Sequence, residues 1–381
     1  MKIILDIYKS SNIYFIILKN FSYLIDVYRK TKEDEKLFIS NQSIHWDSYY
    51  KENKKFYNLD NLINFRKNQI LSEGLDDAIN LQNSFDLLEA LKNFDGNFLR
   101  KHLPEKNVGN CHYSLNILGY WFDYGMIHSL KWYEEIEKYI KNESVILEIG
   151  GGFGSLARII INDKKCKYFL IDLPEANLIS NYYLQNYFPE KKIFNYSDYK
   201  DKLLEDVIQN FDIFILPPGT LDKQNIKFDF IINSRSFMEM NKKIIKEYFN
   251  LIQSKIKSDG YFLNINRYLK STVGEDIKFD EYPYDNLWNV EISKKSFLQD
   301  HMHFLLVQRQ INEGNIKNEL LKLKNSNKKY KSTIFVWLKL IKYYIERISS
   351  LTVKIILTHL FTKKFLKKLS KIMYNISETR N

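Results

Sequence analysis

The stretch 145–154, Val-Ile-Leu-Glu-Ile-Gly-Gly-Gly-Phe-Gly, constrains this chain more than any other ten residues. Its first five residues are apolar apart from Glu148 and read as a strand buried on both faces. Gly150, Gly152 and Gly154 follow at alternate positions, and a helical pattern opens at Ser155. A chain that reverses sharply out of a buried strand needs backbone angles that glycine adopts without strain. Glycine also lets the backbone come close to a ligand, and the next helix presents unpaired N–H groups at its start. The spacing is not the dinucleotide Gly-x-Gly-x-x-Gly, because Ser155 stands where the last glycine would be. Nor is it a phosphate loop, because no Gly-Lys-Ser/Thr follows.

From Glu143 onward, strand and helix patterns alternate. Apolar runs lie at 145–149, 168–171, 211–216, 228–232, 261–265 and 304–307, with helical patterns at 155–162, 175–187, 201–209 and 242–256. This predicts an α/β fold with a doubly wound, mostly parallel, Rossmann-like sheet over residues 141–312. Residues 1–140 read as mostly helical, with helices at 59–69, 76–93 and 129–141 and a loop around 104–119. Residues 313–381 read as a helical, basic tail. With 381 residues, 45% of them hydrophobic, the chain can bury one large core or two ordinary ones.

The net charge of +11 is unevenly spread. Residues 317–381 hold 16 Lys and Arg against three Glu and no Asp, so the rest of the chain is near neutral at −2. The two cysteines, Cys111 and Cys166, exclude a disulfide scaffold and a four-cysteine zinc site. Charges at Lys2, Asp6, Lys9, Lys19 and Asp26 break up the apolar start, so neither a signal peptide nor a spanning helix is expected there. The most apolar part of the tail, 348–362, is 15 residues long and includes Lys354 and His359. That is too short to span a bilayer. Lys363, Lys364, Lys367, Lys368 and Lys371 follow it directly. The expectation is a cytoplasmic protein whose tail either lies on an anionic membrane surface or packs on the N-terminal helices or a second subunit.

Two acids mark the ligand. Glu148 sits two residues before the first glycine, where an anion would repel a pyrophosphate but suits a ligand with a cationic end. Asp172 ends the next strand, where an acid accepts hydrogen bonds from both ribose hydroxyls of a nucleoside. Together with Gly150, Gly152 and Gly154 they point to S-adenosyl-L-methionine, whose α-ammonium and sulfonium are both cationic.

Residues 146–154, Ile-Asp-Leu-Pro-Glu at 171–175, Ile-Asn-Ser-Arg-Ser-Phe-Met-Glu-Met at 232–240 and Leu-Asn-Ile-Asn-Arg at 263–267 resemble the sugar O-methyltransferases. These are class I Rossmann-like enzymes associated with bacterial surface polysaccharide clusters, and the resemblance covers roughly residues 105–310. It implies methyl transfer to a sugar, nucleotide-sugar or glycan hydroxyl. Such a hydroxyl must be aligned with the S–CH₃ bond and lose its proton as it attacks. Glu239 is the first candidate for the base, with His112 in the loop before the cofactor domain, His301 and His303 as the others. Asn233 is expected at the cofactor, and Ser236, Asn266, Arg267 and Trp288 at the substrate. His301-x-His303 has the spacing to share a metal on one strand face, but no third ligand is evident and no metal is expected. Two rival readings are a nucleic-acid methyltransferase and a non-catalytic scaffold of the same fold. Against the first, no nucleic-acid partner is expected, because Asn233-Ser234-Arg235 is not a Pro-Pro-aromatic motif and the positive charge lies outside the catalytic body. A homo-oligomer is left open.

Overall fold

The computed structural model describes residues 12–38, 58–68, 91–111, 114–199, 203–271, 274–297 and 299–327. Helices α1 (Asn12–Phe38), α2 (Leu59–Ile63) and α3 (Gly96–His102) precede a hairpin of β1 (Ser114–Ile117) and β2 (Tyr120–Asp123). Helix α4 (Tyr124–Ile136), capped by the Asp123 carboxylate on Met126 N–H at 3.0 Å, leads into the alternating part. There follow β3 (Val145–Ile149), α5 (Ser155–Asp163), β4 (Lys167–Ile171), α6 (Pro174–Tyr187), β5 (Ile193–Asn195), β6 (Ile213–Leu216), β7 (Phe228–Ser234), α7 (Lys242–Lys255) and β8 (Ile256–Arg267). Two long strands, β9 (Trp288–Ser296) and β10 (Gln299–Arg309), and helix α8 (Ile316–Asn327) complete the described residues.

Eight strands form one sheet in the order β9-β10-β8-β7-β3-β4-β6-β5. Strands β5, β6, β4, β3, β7 and β8 run parallel, while β10 is antiparallel to β8 and β9 antiparallel to β10. The sheet is thus α/β, doubly wound and Rossmann-like, as its alternating sequence predicts. Period-two alternation sorts each strand between two cores. Ile146, Tyr168, Leu170, Phe230 and Ile232 face one, which is filled by α1, α3, α4, α5 and α6. Leu147, Phe169, Phe214, Ile231 and Phe262 face the other, under α7 and α8. The first core runs without a break from Leu24, Phe65 and Leu99 to the sheet residues, so the N-terminal elements are a layer on the sheet.

The arrangement fixes where a ligand can sit. From β3 the chain passes to β4 on one side, whereas β7 lies against β3 on the other. At that switch point the connections diverge and leave a crevice beyond the carboxyl ends of the strands. Gly150 and Ser236 flank it.

The structure departs from the sequence reading in four places. The segment read as a loop includes β1, because Leu118 and Gly119 both have positive φ, 53° and 90°, and so make the two-residue turn of a hairpin. The helix expected over 59–69 ends at Ile63, where Asn64 folds back on Asp60. Strands β5 and β9 were not predicted, since each is an edge strand without a continuous apolar run. The expected helix 76–93 lies outside the described residues apart from 91–93, as do His112 and residues 328–381 of the tail. Among the described residues, no helix is long and apolar enough to cross a membrane.

Candidate active site

The turn after β3 is shaped by its neighbours. Gly150 has φ 75°, and a Cβ there would lie 2.2 Å from Ser236 Oγ, so no side chain fits between the ends of β3 and β7. Gly152 has φ 57° and nothing within 4 Å of where its Cβ would be; its outer side is open. The Gly152 N–H donates to Asp172 Oδ2 at 2.7 Å, and Leu173 N–H donates to Oδ1 at 2.7 Å. The acid at the end of β4 is therefore clamped against the glycine turn by backbone on both oxygens. Helix α5 begins at Gly154 without a side-chain cap.

Glu148 lies beneath the turn, 1% exposed. Its Oε2 accepts the Tyr168 hydroxyl at 2.7 Å and would lie 3.0 Å from a Cβ on Gly151. Burial pushes its carboxyl up to about 7, and Asp172 adds to the shift against the Tyr168 hydrogen bond. Asp172 is likewise pushed up to about 7, by burial first, opposed by its two backbone donors and reinforced by Glu239 and Glu175. Two carboxyls held near neutrality below an open glycine turn favour a ligand that brings positive charge or hydrogen-bond donors.

The segment after β7 is held by asparagines. Asn233 is fully buried, and all its hydrogen-bonding capacity is used. Nδ2 donates to Ile149 O at 2.9 Å and Ser236 Oγ at 2.7 Å. Oδ1 accepts Phe237 N–H at 3.2 Å and Asn266 Nδ2 at 2.9 Å. Asn266, also fully buried, spends its second N–H on Asn264 and its oxygen on Met238 N–H. Asn233 has no group left for a cofactor and Asn266 keeps only one lone pair on its Oδ1, and both brace the crevice floor. Ser236 stands against Gly150 at that floor. Glu239 closes a turn of 3-10 helix, Phe237–Glu239, with its carboxylate 3.7 Å from Lys270 Nζ and near enough to Asp172 to oppose its ionisation.

Trp288 is also displaced from its expected role. It is 0% exposed at the start of β9, packed on Phe262 with the Arg309 guanidinium 4.9 Å above its ring. No face remains for a sugar. Both ring nitrogens of His303 are taken, by Tyr268 Oη at 3.0 Å and Ser293 Oγ at 3.1 Å, so it does not share a metal with the exposed His301. Arg267 ends β8 half-buried.

Three residues that the sequence did not mark join the site from the N-terminal layer. Arg66 is buried against Asp123 at 2.5 Å, with its guanidinium 5.1 Å over the ring of Phe153 in the glycine turn. Asp123 and neighbouring groups hold it protonated against the cost of burial. The backbone N–H groups of Arg66 and Lys67 donate to Gly109 O, fixing 104–111 to the same layer. His128, 1% exposed on α4, lies within electrostatic reach of Arg235 and His301; burial pushes its imidazole down to about 4, and Arg235 adds to that shift. Arg66 has no local sequence signal at all, and His128 reads as one more residue of an amphipathic helix. At the other end of α5, His102, Glu137 and Asp163 also converge, but Lys101, Lys164 and Tyr133 already occupy Asp163.

No protein-family model matches the chain, and no curated protein matches it. Solved structures do. TrmK of M. capricolum, solved with S-adenosyl-homocysteine, is 14% identical over 64% of this chain and 96% of its own, with TM-score 0.34. The mitomycin 7-O-methyltransferase MmcR is 11% identical over 61% of this chain and 69% of its own, with TM-score 0.33. A methyltransferase from Pyrococcus furiosus is 12% identical over 48% of this chain and 83% of its own, with TM-score 0.32. The solved structures that this chain resembles are thus methyltransferases with various substrates, and its own strand order and switch point make the fold Rossmann-like.

Proposed function

We propose that this chain is an S-adenosyl-L-methionine-dependent O-methyltransferase acting on a sugar hydroxyl in surface polysaccharide synthesis. The observation that carries the cofactor is the clamp of Asp172 on Gly152, with Glu148 buried beneath it at the switch point. Asp172 would hold the ribose hydroxyls, and Glu148 the ammonium end, through the turn or a water. Arg66, at the Phe153 ring, suits the cofactor's carboxylate. When bound, the cofactor supplies a methyl group activated on a sulfonium. Glu239, 15% exposed beside the crevice, would take the hydroxyl proton, with Lys270 steadying its charge until then. The sugar is proposed on the resemblance of the segments at 232–240 and 263–267 to those of sugar O-methyltransferases. The lysine-rich stretch 328–381 would hold the enzyme on an anionic membrane where its acceptor is assembled.

Titration calorimetry tests the core of this reading. The purified protein should bind S-adenosylmethionine, and Asp172→Ala should weaken it about ten- to a hundred-fold, the loss of charge-assisted hydrogen bonds. Unchanged affinity in a folded Asp172→Ala protein removes Asp172 from the site. Sedimentation with anionic and neutral vesicles tests the tail, and a full-length protein that ignores anionic vesicles at low salt ends the membrane proposal.

A further inference from the structure

Beyond β7 the crevice changes sign. Arg235 follows β7, and its N–H donates to Ile265 O of β8 at 2.7 Å. Arg267 ends β8, opposite Met302 of β10, and His301 precedes that pair, with its carbonyl accepting Tyr268 N–H at 3.1 Å. His128 reaches the same corner from α4, within electrostatic reach of both Arg235 and His301. Among the described residues, Asp123 pairs with Arg66 and Glu239 with Lys270.

Two details show that these cations are built for a ligand. Arg235 has φ 66° in the left-handed region, where a position chosen for conformation alone would take glycine or asparagine. Its side chain is exposed, so a strained backbone is kept where a guanidinium is presented. The Nε of Arg267 is buried and, among the described residues, faces no acceptor. A buried donor in that state is rare and costly, and an incoming oxyanion would satisfy it.

We propose that Arg235 and Arg267, with His128 and His301 beside them, bind a phosphoryl group of the acceptor, so that the methylated sugar is carried on a phosphate or pyrophosphate. This rests on the cofactor reading of the β3 and β4 ends, which places the methyl donor next to this corner. Two forked guanidiniums offer more donors than one carboxylate accepts, but match a pyrophosphate bridge, whose four non-bridging oxygens share two charges. The carrier is either a nucleotide or a lipid.

Calorimetry on the full chain loaded with S-adenosylhomocysteine decides it. Inorganic pyrophosphate, uridine diphosphate and farnesyl pyrophosphate are titrated into the wild type, Arg235→Gln, Arg267→Gln and Arg235→Gly. Pyrophosphate should bind the wild type and weaken about tenfold or more in each variant, the loss of a charge-assisted contact, while S-adenosylhomocysteine affinity stays within about twofold. Arg235→Gly relieves the left-handed strain, so it should keep or raise the melting temperature while losing pyrophosphate; that pairing separates binding from folding. Tighter binding of the uridine or the farnesyl compound than of pyrophosphate identifies a nucleotide or a lipid carrier. Pyrophosphate that fails to bind, or binds the variants as it binds the wild type, overturns the proposal. So does a short single-stranded RNA that needs both arginines when pyrophosphate does not. If S-adenosylhomocysteine itself does not bind, the cofactor reading falls, and titration of the unloaded protein with pyrophosphate still tests this corner.

Discussion

Along the carboxyl edge of the sheet, β3 and β4 carry the carboxylates Glu148 and Asp172 at their ends, whereas β7 and β8 lead into the arginines Arg235 and Arg267. Glu148 and Asp172 are buried or clamped under the glycine turn, and among the described residues neither forms an ion pair. Arg235, Arg267 and His301 stand on the other side of the switch point, around a floor of interlocked asparagines. The two halves are organised differently. On the acidic half, backbone holds side chains: Gly152 and Leu173 N–H groups fix Asp172. On the cationic half, side chains hold backbone: Asn233 and Asn266 fix the turn at 236–239 through Phe237 and Met238 N–H. A rigid negative cradle beside a braced positive wall fits a cationic methyl donor next to an anionic acceptor, with Glu239 at the seam.

Breaking the seam should have the largest effect. Glu239→Gln keeps the shape and removes the base, so methyl transfer should fall by about 10²–10⁴ while cofactor affinity is retained. Single-turnover rates and calorimetry on one preparation check both. Full turnover by the variant would remove Glu239 as the proton acceptor and leave it a structural role beside Lys270.

The acidic half can be split by two glycines that differ in surroundings. Gly150→Ala meets Ser236 at 2.2 Å and a left-handed backbone together, so it should cost about 2–4 kcal/mol of stability. Gly152→Ala meets only the backbone strain, about 1–2 kcal/mol, because its outer side is open. Yet that open side is where the ligand is proposed to lie, so Gly152→Ala should lose cofactor affinity well beyond its loss of stability. Denaturant midpoints beside calorimetry make the comparison. If Gly152→Ala binds as the wild type does, the ligand does not cross that glycine.

The same contrast explains what could be read in the sequence. The acidic half lies within residues 145–172, as one strand, one turn, one helix and the next strand, so its pattern is local. The parallel core strands show as apolar runs because both their faces are buried. The cationic half is assembled from distant segments. Asn233 and Asn266 look like ligand groups at strand ends, and only the three-dimensional structure shows them bonded to each other 33 residues apart. Trp288 looks like a sugar platform until the fold packs it between Phe262 and Arg309. Arg66 and His128 carry no pattern at all, since what brings them to the crevice is the packing of the N-terminal layer.

The smallest predicted effect is a pH dependence confined to the acidic half. Glu148 and Asp172 both titrate at about 7 in the ligand-free fold, above their ordinary values of 4.5 and 3.8. A raised carboxyl favours the fold while it is protonated, in full below the unfolded value, and that advantage is lost as pH rises through about 7. Compared with Glu148→Gln, the ligand-free wild type should therefore lose melting temperature between about pH 5 and pH 8. Cofactor binding should run the other way, because a cationic ligand needs the ionised form. Raising pH from about 6.5 to about 7.5 takes such a group from roughly a quarter to three quarters ionised, so affinity should gain about threefold per group. Glu148→Gln should remove its share of that gain, and Arg235→Gln should leave the gain intact. A wild-type affinity flat across this range would mean that neither acid receives the cofactor in its ionised form, and the division of the edge into an acidic cofactor half and an arginine-bearing acceptor half would lose its first member.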